Sequence, residues 1–399
     1  MSTSSHRVVI VGGGSAGITV AARLRRAGVK DVAVIEPSQT HWYQPLWTLV
    51  GGGMADVARS SRPMASVMPD GVTWIRATVA GVDPQASALT LDDGSTVTYD
   101  HLVMAPGIQL NWDGITGLRE TLGHGGVSSN YDPKLAPKTW EFIRSTTRGT
   151  AVFAQPAGAI KCAGAPQKIA YLAADHWRRQ GVLDQIDVHL VLPTPGMFGV
   201  PEFARIREQV VERYGITVHF NSEVVEVDGG AREILIRDNA SDTKERLGYD
   251  VLHAVPPQSA PDWIRSGPLA DAGTPAGYVE VDKHTLRHVR YANVFALGDA
   301  GSTPNSKTGA AVRHQAPVLV TNLRDVMAGR EPSAAYDGYA SCPLTTARDR
   351  MLLAEFDYTM RPAPSIPILN TKREHRDFGL LKKVGLPTLY WNLMLKGLA

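Results

Sequence analysis

Short apolar segments alternate with segments of helical spacing along much of the chain. Residues 7–11 and 32–35 are apolar runs of strand length, and residues 18–27 between them repeat apolar positions as an amphipathic helix does. Strand and helix patterns alternate again over 150–154, 165–179, 188–192 and 201–214. Strands that alternate with helices predict an α/β fold built on parallel sheets.

The order of these patterns divides the chain into four parts. At 399 residues the chain is long for a single hydrophobic core. We expect residues 1–110 and 280–330 to form one domain, and residues 111–279 to form a second domain inserted between them. Within the second domain, short strands split by a polar turn are expected over 222–254, and residues 331–399 are expected to form a separate tail.

The charge balance argues against a nucleic-acid partner. The chain has 41 Lys and Arg side chains against 39 Asp and Glu side chains, a net charge of only +2. No apolar run reaches the roughly 18 residues that a membrane-spanning helix needs. The first strand starts by about Val8, which leaves no room for a secretory signal, so a cytosolic and reducing compartment is expected.

A glycine-rich loop follows the first strand. Residues 12–17 read Gly-Gly-Gly-Ser-Ala-Gly, a GxGxxG pattern between a strand and a helix that is typical of dinucleotide binding. Glu36 lies 19 residues beyond Gly17 (36 − 17), close to the position expected of an acid that binds a ribose. The predicted cofactor-binding residues of this region are Gly12, Gly14, Ser15, Ala16, Gly17 and Glu36.

Two later segments favour FAD over NAD as the dinucleotide. Residues 101–107 are an apolar strand that ends at Ala105 and Gly107, and residues 293–299 form another that ends at Gly298 and Asp299. Both resemble segments of flavoproteins with two dinucleotide-binding domains, in which the aspartate bonds the ribityl chain. The turn after the strand at 150–154 lacks a second GxGxxG, so the NAD(H) site is expected to be degenerate.

The only two cysteines, Cys162 and Cys342, are the main chemical candidates. Cys162 lies in a turn before a predicted helix, and the helix N-terminus, with Lys161 and Lys168, is expected to lower its thiol pKa. Cys342 is also predicted to lie in a turn, next to Pro343. Two buried structural thiols are the alternative. In a flavoprotein from a reducing compartment, a redox-active pair is favoured.

Six further segments carry a family resemblance; they cover residues 41–49, 161–168, 306–308, 339–344, 354–358 and 389–392. In these segments the chain resembles the sulfide:quinone oxidoreductase family, in the branch that includes the mitochondrial enzyme. The resemblance implies two Rossmann-like, glutathione-reductase-like domains that bind FAD, followed by an amphipathic C-terminal tail that associates with a membrane. It also places Gln44, Pro45 and Lys307 near the flavin.

The resemblance further implies a role for each cysteine. Sulfide would attack a redox-active Cys162–Cys342 disulfide, or a trisulfide, so that Cys342 holds a persulfide while Cys162 attacks the flavin. Electrons would then pass to a quinone. Another branch of the family attaches its flavin through a third cysteine, which this chain lacks, and the region near Ser128 and Ser129 is polar. We therefore expect non-covalent FAD and a small sulfur acceptor such as glutathione, sulfite or coenzyme A.

The last residues of the chain favour a membrane surface. Residues 371–399 contain six Lys and Arg against two acidic side chains, interleaved with leucines and aromatic residues. A C-terminal helix that docks on the core with solvated basic residues is the alternative. The resemblance favours a peripheral anchor on the cytoplasmic face of the membrane. The candidates for quinone binding, which are otherwise core aromatics, are Phe356, Tyr358, Tyr390 and Trp391.

Two other functions remain open from the sequence. One is an NADH:quinone oxidoreductase of the same fold, and the other is a non-catalytic flavin redox sensor or sulfur carrier. His253, His284 and His314 have no spacing typical of metal ligands, so no metal is expected. The sequence does not determine an oligomeric state, and a homo-oligomer is compatible with it.

Overall fold

The computed structural model describes residues 3–366, 370–371, 373–376 and 381–399. The strands of this part of the chain are β1 (Thr3–Val11), β2 (Val32–Ile35), β3 (Thr40–Trp42), β4 (Ser61–Pro63), β5 (Thr73–Ile75), β6 (Val79–Asp83), β7 (Ala88–Leu91), β8 (Thr96–Met104), β9 (Gln109–Leu110), β10 (Val127–Ser128), β11 (Gly149–Ala154), β12 (Ile186–Val191), β13 (Thr217–His219), β14 (Ser222–Asp228), β15 (Glu233–Asp238), β16 (Lys244–Gly248), β17 (Val251–Ala254), β18 (Gln258–Ser259), β19 (Val294–Ala296), β20 (Ala340–Ala347) and β21 (Arg350–Phe356). The α-helices are α1 (Ser15–Arg26), α2 (Trp47–Gly51), α3 (Met64–Val67), α4 (Leu118–Thr121), α5 (Ala136–Ser145), α6 (Ala165–Gln180), α7 (Pro201–Tyr214), α8 (Asp262–Arg265), α9 (Gly309–Met327) and α10 (Leu386–Asn392).

The first sheet combines strands from both ends of the dinucleotide-binding region. Its order is β5-β2-β1-β8-β7-β6, and β19 pairs with β8. The pairs β1–β2, β1–β8, β2–β5 and β8–β19 are parallel. Residues 294–296 therefore return to the sheet that residues 3–104 begin, and α1 and α9 pack beside each other against it.

The second sheet lies in the intervening region and is entirely parallel, in the order β10-β17-β11-β12-β13. Helices α6 and α7 bury one face of this sheet, with the fully buried Trp177 and Tyr171 among the largest side chains of the core. A three-stranded antiparallel sheet, β14-β15-β16, stands beside it. The predicted α/β fold with two Rossmann-like domains is confirmed.

The C-terminal region is not the separate tail that the sequence pattern predicts. The β20–β21 hairpin packs against α6, and its inward side chains belong to the core of the second domain. Helix α10 and the turn after it pack against α1 and belong to the core of the first domain. Both segments carry enough buried apolar surface to dock on the protein, so residues 340–356 and 386–396 tie the two domains together.

A buried carboxylate fixes the hairpin on α6. The Asp175 side chain accepts hydrogen bonds from Arg178 (2.6 Å), from Arg179 (2.9 Å) and from the backbone N–H of Arg348 (3.0 Å) in the hairpin turn. A buried charge that is paired in this way holds its partners in one geometry. This anchor joins α6 to the turn of the hairpin whose first strand, β20, carries Cys342.

No helix in the described ranges is long and apolar enough to cross a membrane. Four residues of the basic amphipathic pattern, Lys372, Asp377, Phe378 and Leu380, lie outside the described residues. The amphipathic character of the complete tail therefore stays a prediction.

Candidate active site

The glycine-rich loop has a geometry that only glycine allows. Gly12 has φ +98°, and a Cβ atom there would lie 2.4 Å from the carbonyl oxygen of Ala105. A Cβ atom on Gly17 would lie 1.8 Å from the carbonyl oxygen of Gly12. A Cβ atom added to Gly14, in contrast, would have no other atom within 4 Å. The loop is tight toward the protein and open where a pyrophosphate would approach the N-terminus of α1.

Glu36 lies at the end of β2 and faces this loop. Its carboxylate accepts hydrogen bonds from the backbone N–H groups of Gly13 (2.8 Å) and Ser38 (2.7 Å). These bonds orient the carboxylate and leave further lone pairs for other donors. The position suits the ribose-binding role that the sequence predicts, and that role stays a prediction.

The late segment of the first domain reaches the same loop. Gly298 has φ +66°, and a Cβ atom there would lie 3.1 Å from the Cβ atom of Ala16. No residue in the described ranges donates a hydrogen bond to the carboxylate of the next residue, Asp299. Burial raises its pKa, and the nearby Lys307 and Lys161 oppose that shift. The Asp299 carboxylate is thus an acceptor that lacks a donor and lies next to the glycine loop. The hydroxyl groups of a dinucleotide cofactor would supply such donors.

Lys307 connects this segment to the first cysteine. Its Nζ donates to the carbonyl oxygens of Asp299 (2.8 Å) and Gly301 (2.9 Å). Burial lowers the pKa of Lys307 to about 8, while the Asp299 carboxylate acts in the opposite direction. The carbonyl oxygen of Lys307 accepts a 2.8 Å hydrogen bond from the backbone N–H of Cys162. The cysteine loop and the segment after Asp299 are thus held as one unit.

The turn that contains Gln44 and Pro45 also reaches the cysteine loop. Lys161 Nζ donates a 2.8 Å hydrogen bond to Gln44 Oε1, and Pro45 lies within the short turn Gln44–Leu46. Lys161, which the sequence predicts to help lower the pKa of Cys162, directs its ammonium to Gln44 and is not among the described groups that shift that pKa. Lys168 contacts the sulfur instead, with its Nζ 3.0 Å from Cys162 Sγ.

The fold brings the two thiols together. Both are free cysteines, both lie at the same apolar cluster, and each shifts the pKa of the other. Cys342 lies in strand β20 and not in the predicted turn, and Pro343 is accommodated because this ribbon has only two strands. Strand β20 packs against the start of α6. The approach is so close that a Cβ atom on Gly164 would lie 2.6 Å from Cys342 Sγ.

The acidic thiol is Cys342, and the expectation for Cys162 is wrong in this respect. The hydrogen bond to Cys342 and burial both raise the pKa of Cys162. The hydrogen bond from Cys162 lowers the pKa of Cys342 well below its usual range, with help from Lys168, Arg207 and Lys382. Lys168 and Lys382 favour the thiolate of both cysteines, and Arg207 adds to this at Cys342.

Three buried cations surround the cysteine pair. Lys168, Arg207 and Lys382 are 2%, 1% and 6% exposed, and no carboxylate of the described residues pairs with any of them. Burial lowers the pKa of Lys382 to about 8, and the two cysteine sulfurs act in the opposite direction. Buried charge without counter-charge is costly, so this site favours an anionic sulfur species or another small anion.

Arg207 is a functional candidate that the sequence analysis missed. Its Nη1 donates to Gln167 and Met197, while its Nε and Nη2 have no partner among the described residues. The signal was present in the helical spacing, because Arg207 occupies the buried stripe of α7 that also carries Phe203 and Tyr214. A charged residue on a buried stripe indicates a partner or a ligand.

Two of the four quinone candidates pack together near the cysteine loop. The Tyr390 ring lies 4.4 Å from the Tyr43 ring, and Trp391 packs edge-on to His41 at 5.7 Å, each measured between ring centroids. Burial and then the charge of Cys162 raise the pKa of Tyr43, so Tyr43 contacts α10 and is also within electrostatic reach of Cys162. Tyr390 and Trp391 thus remain candidates for a site beside the cofactor.

The other two candidates lie in different surroundings. Phe356 packs edge-on to Phe198 in the core of the second domain, at 5.3 Å between ring centroids. The Tyr358 hydroxyl donates a 2.8 Å hydrogen bond to the carbonyl oxygen of Lys283. The structure therefore does not bring the four aromatic residues into one pocket, because the loop after β21 directs Tyr358 away from the hairpin core.

A dinucleotide loop and a pair of juxtaposed thiols in one fold are the arrangement of a dithiol–disulfide oxidoreductase with a dinucleotide cofactor. Residues 6–316 match the family model of pyridine nucleotide-disulphide oxidoreductases. The class is thus defined by the fold, by the cofactor loop and by an independent sequence match, and it implies a flavin.

Within that class the chain belongs to the sulfide:quinone oxidoreductase family. It is 40% identical over 395 residues to the mitochondrial sulfide:quinone oxidoreductase of Mus musculus, covering 98% of this chain and 87% of that protein. It is 39% identical to the mitochondrial enzyme of Dictyostelium discoideum, with 98% and 86% covered. The solved structure of the Aquifex aeolicus sulfide:quinone oxidoreductase has the same fold, with a TM-score of 0.82 at 18% identity over 98% of this chain and 91% of that chain.

The charge around the thiols predicts how the pair titrates. In dithiothreitol-reduced protein, one thiolate should form below the roughly pH 8.5 midpoint of a free cysteine. Lys168→Met should move this midpoint to higher pH, because a cation that favours the thiolate is lost. Ultraviolet thiolate absorbance across roughly pH 4 to 10 measures it, with Cys342→Ser as the blank. Lys161→Met is the matched control, since Lys161 bonds Gln44, and equal shifts in the two variants would contradict the assignment.

Proposed function

We propose that this enzyme oxidises sulfide to sulfane sulfur through a Cys162–Cys342 redox disulfide and passes the two electrons through non-covalent FAD to a membrane quinone. The observation that carries the proposal is that the fold places Cys342 Sγ against the turn of Cys162, which the backbone of Lys307 holds next to Asp299. The names of the relatives supply the substrates, sulfide and quinone. The polar, cysteine-free surroundings of Ser128 and Ser129 support a flavin without a covalent bond.

The sulfur chemistry begins with the oxidised pair. Hydrosulfide attacks the disulfide, the S–S bond breaks, one cysteine becomes a persulfide and the other leaves as a thiolate. An external nucleophile takes the sulfane sulfur and leaves the persulfide cysteine as a second thiolate. The two thiolates re-form the S–S bond and give up two electrons, which bound FAD would accept and supply to the quinone together with two protons.

The residues of the site favour specific parts of this cycle. Lys168, Arg207 and Lys382 stabilise negative charge on sulfur, which supports a persulfide anion on Cys342. A low thiol pKa by itself would also make Cys342 the better leaving group, so the assignment of the persulfide to Cys342 depends on the family resemblance. Glu36, Asp299 and the glycine loop would hold FAD, and Lys307 would place positive charge beside it.

The same cations support a small anionic sulfur acceptor. Arg207 keeps two guanidinium nitrogens without partners among the described residues, and it lies beside Lys168 and Lys382 around the thiols. Sulfite, glutathione and coenzyme A all carry negative charge near neutral pH. A site with uncompensated positive charge would attract any of them to the persulfide.

Anaerobic flavin spectroscopy tests the proposed reaction. Sulfide should bleach the oxidised flavin band, and a short-chain quinone should restore it. Cys162→Ser and Cys342→Ser should each lose the bleaching by at least about a hundredfold in rate, because neither variant can form the disulfide that sulfide attacks. Mass spectrometry of Cys162→Ser treated with a persulfide donor should locate the added sulfur on Cys342. Normal bleaching in both variants would contradict the mechanism.

NADH in place of sulfide decides between the first alternative and the proposal. The segment 155–166 has no second GxGxxG and carries Cys162 where the NAD fingerprint would stand. NADH should therefore leave the flavin oxidised. Bleaching by NADH but not by sulfide would favour the NADH:quinone oxidoreductase, and bleaching by sulfide without turnover by quinone would favour a redox sensor or sulfur carrier.

We also propose that the C-terminal region rests on a membrane surface. Five of the seven large apolar side chains that are exposed in the described residues follow residue 359; they are Met360, Ile366, Val384, Leu393 and Leu398. Beside Val384, Arg59, Arg62 and Lys383 line a pocket of about 360 Å³ with no acidic residue in its described lining. Apolar side chains next to unpaired cations suit an anionic leaflet. The cytoplasmic side of that membrane stays a prediction.

Vesicle binding tests this surface. The double variant Arg62→Gln/Lys383→Gln should bind anionic vesicles about 30-fold more weakly, because each basic residue near such a surface contributes about 1 kcal/mol. The control is Arg232→Gln/Lys244→Gln, which removes the same charge from exposed positions in and beside the three-stranded sheet. Co-sedimentation with vesicles of roughly 30% anionic lipid gives the bound fraction. Equal binding by the two double variants would exclude this surface.

A further inference from the structure

The C-terminal helix reaches the dinucleotide loop through one hydroxyl group. Tyr390 in α10 is 3% exposed, and its hydroxyl lies 2.7 Å from Ser15 Oγ and 2.6 Å from His41 Nε2. The other ring nitrogen of His41, Nδ1, lies 2.9 Å from the carbonyl oxygen of Gly13. Tyr390 therefore contacts the loop directly at Ser15 and reaches Gly13 through His41.

The direction of each hydrogen bond in the series from Ser15 through Tyr390 and His41 to Gly13 follows from the protonation state of His41. Burial lowers the pKa of His41 to about 4, so the imidazole is neutral and has one donor and one acceptor. The Gly13 carbonyl only accepts, so Nδ1–H donates to it and Nε2 accepts from the Tyr390 hydroxyl. The Tyr390 oxygen then accepts from the hydroxyl of Ser15.

The loop is thus held from two sides. Glu36 binds the backbone N–H of Gly13, and His41 binds the carbonyl oxygen of the same residue. Ser15, the first residue of α1, is bound by Tyr390. Gly14, the position open to a phosphate, lies between these two fixed points. A loop that is held in its binding geometry before the ligand arrives binds with less loss of conformational entropy.

We propose that Tyr390 is a positioning residue for FAD, so that docking of α10 completes the dinucleotide site. This inference rests on the proposed function, in which FAD occupies the loop. Because coupling between two equilibria is reciprocal, FAD should in turn favour the docked position of α10. The Tyr390 hydroxyl hydrogen is committed to His41, so the residue offers no proton to a quinone carbonyl, and any contact with quinone would use its ring.

Binding of FAD to the apoprotein tests the role of Tyr390. Tyr390→Phe keeps the ring, removes the hydroxyl and leaves buried groups of His41 and Ser15 without a partner, so the Kd for FAD should rise about tenfold. Quenching of FAD fluorescence on titration with apoprotein gives the Kd. The matched control is Tyr214→Phe, which removes another buried tyrosine hydroxyl that donates, at 2.9 Å, to the carbonyl oxygen of Thr346 in the second domain. This control should keep the wild-type Kd.

A second variant separates positioning from general stability. His41→Gln interrupts the same chain of hydrogen bonds, so the double variant His41→Gln/Tyr390→Phe should raise the Kd by less than the product of the two single effects. Fully multiplicative effects, or a lowered melting temperature of the apoprotein with an unchanged Kd in Tyr390→Phe, would overturn the inference. If wild-type apoprotein fails to bind FAD at all, the proposed function fails as well.

Limited proteolysis measures the reciprocal effect. FAD should slow cleavage within residues 381–399 of the wild-type apoprotein, and this protection should be smaller in Tyr390→Phe at saturating FAD. Equal protection in the two proteins would show that α10 docks independently of the loop and would overturn the coupling.

Discussion

The juxtaposition of Cys162 and Cys342 is the constraint around which the rest of the site is arranged. It requires a strand from the C-terminal region to lie against the N-terminus of α6, with Gly164 providing the space for the second sulfur. It also requires the loop of Cys162 to be held by the backbone of Lys307. Three buried cations then favour negative charge on sulfur at this site, which is what thiolate chemistry needs.

The C-terminal region links the two halves of the function. The β20–β21 hairpin carries one thiol into the second domain, and Asp175 holds the hairpin in place. The helix that follows packs into the first domain, where Tyr390 contacts the dinucleotide loop. The same helix turns Trp391 toward Arg62 and the basic pocket at the surface. The C-terminal region thus contacts the dinucleotide loop, lines the basic pocket at the surface and carries one of the two thiols.

Features set by local sequence were predictable, and features set by distant contacts were not. Strand–glycine–helix patterns located the loop at residues 12–17, and helical spacing located α6 and α7 to within a residue, because capping and periodicity act over a few positions. The residues favour a redox-active pair of Cys162 and Cys342, 180 positions apart (342 − 162), but only the family resemblance implies the role of each. The distribution of charge between them was predicted wrongly, since it depends on Arg207 and Lys382, which only the tertiary fold brings to the thiols. Tyr390 shows the same limit, because its partners Ser15 and His41 lie more than 340 positions earlier.

Peptide mapping under non-reducing conditions tests most directly whether the two thiols form one redox pair. The air-oxidised protein, alkylated, digested and analysed by mass spectrometry, should yield the Cys162 and Cys342 peptides joined by a disulfide, or by a bridge that contains one additional sulfur atom. Anaerobic sulfide should separate them before alkylation and leave one of the two as a persulfide. Recovery of both cysteines as separately alkylated peptides from the oxidised protein would contradict the account.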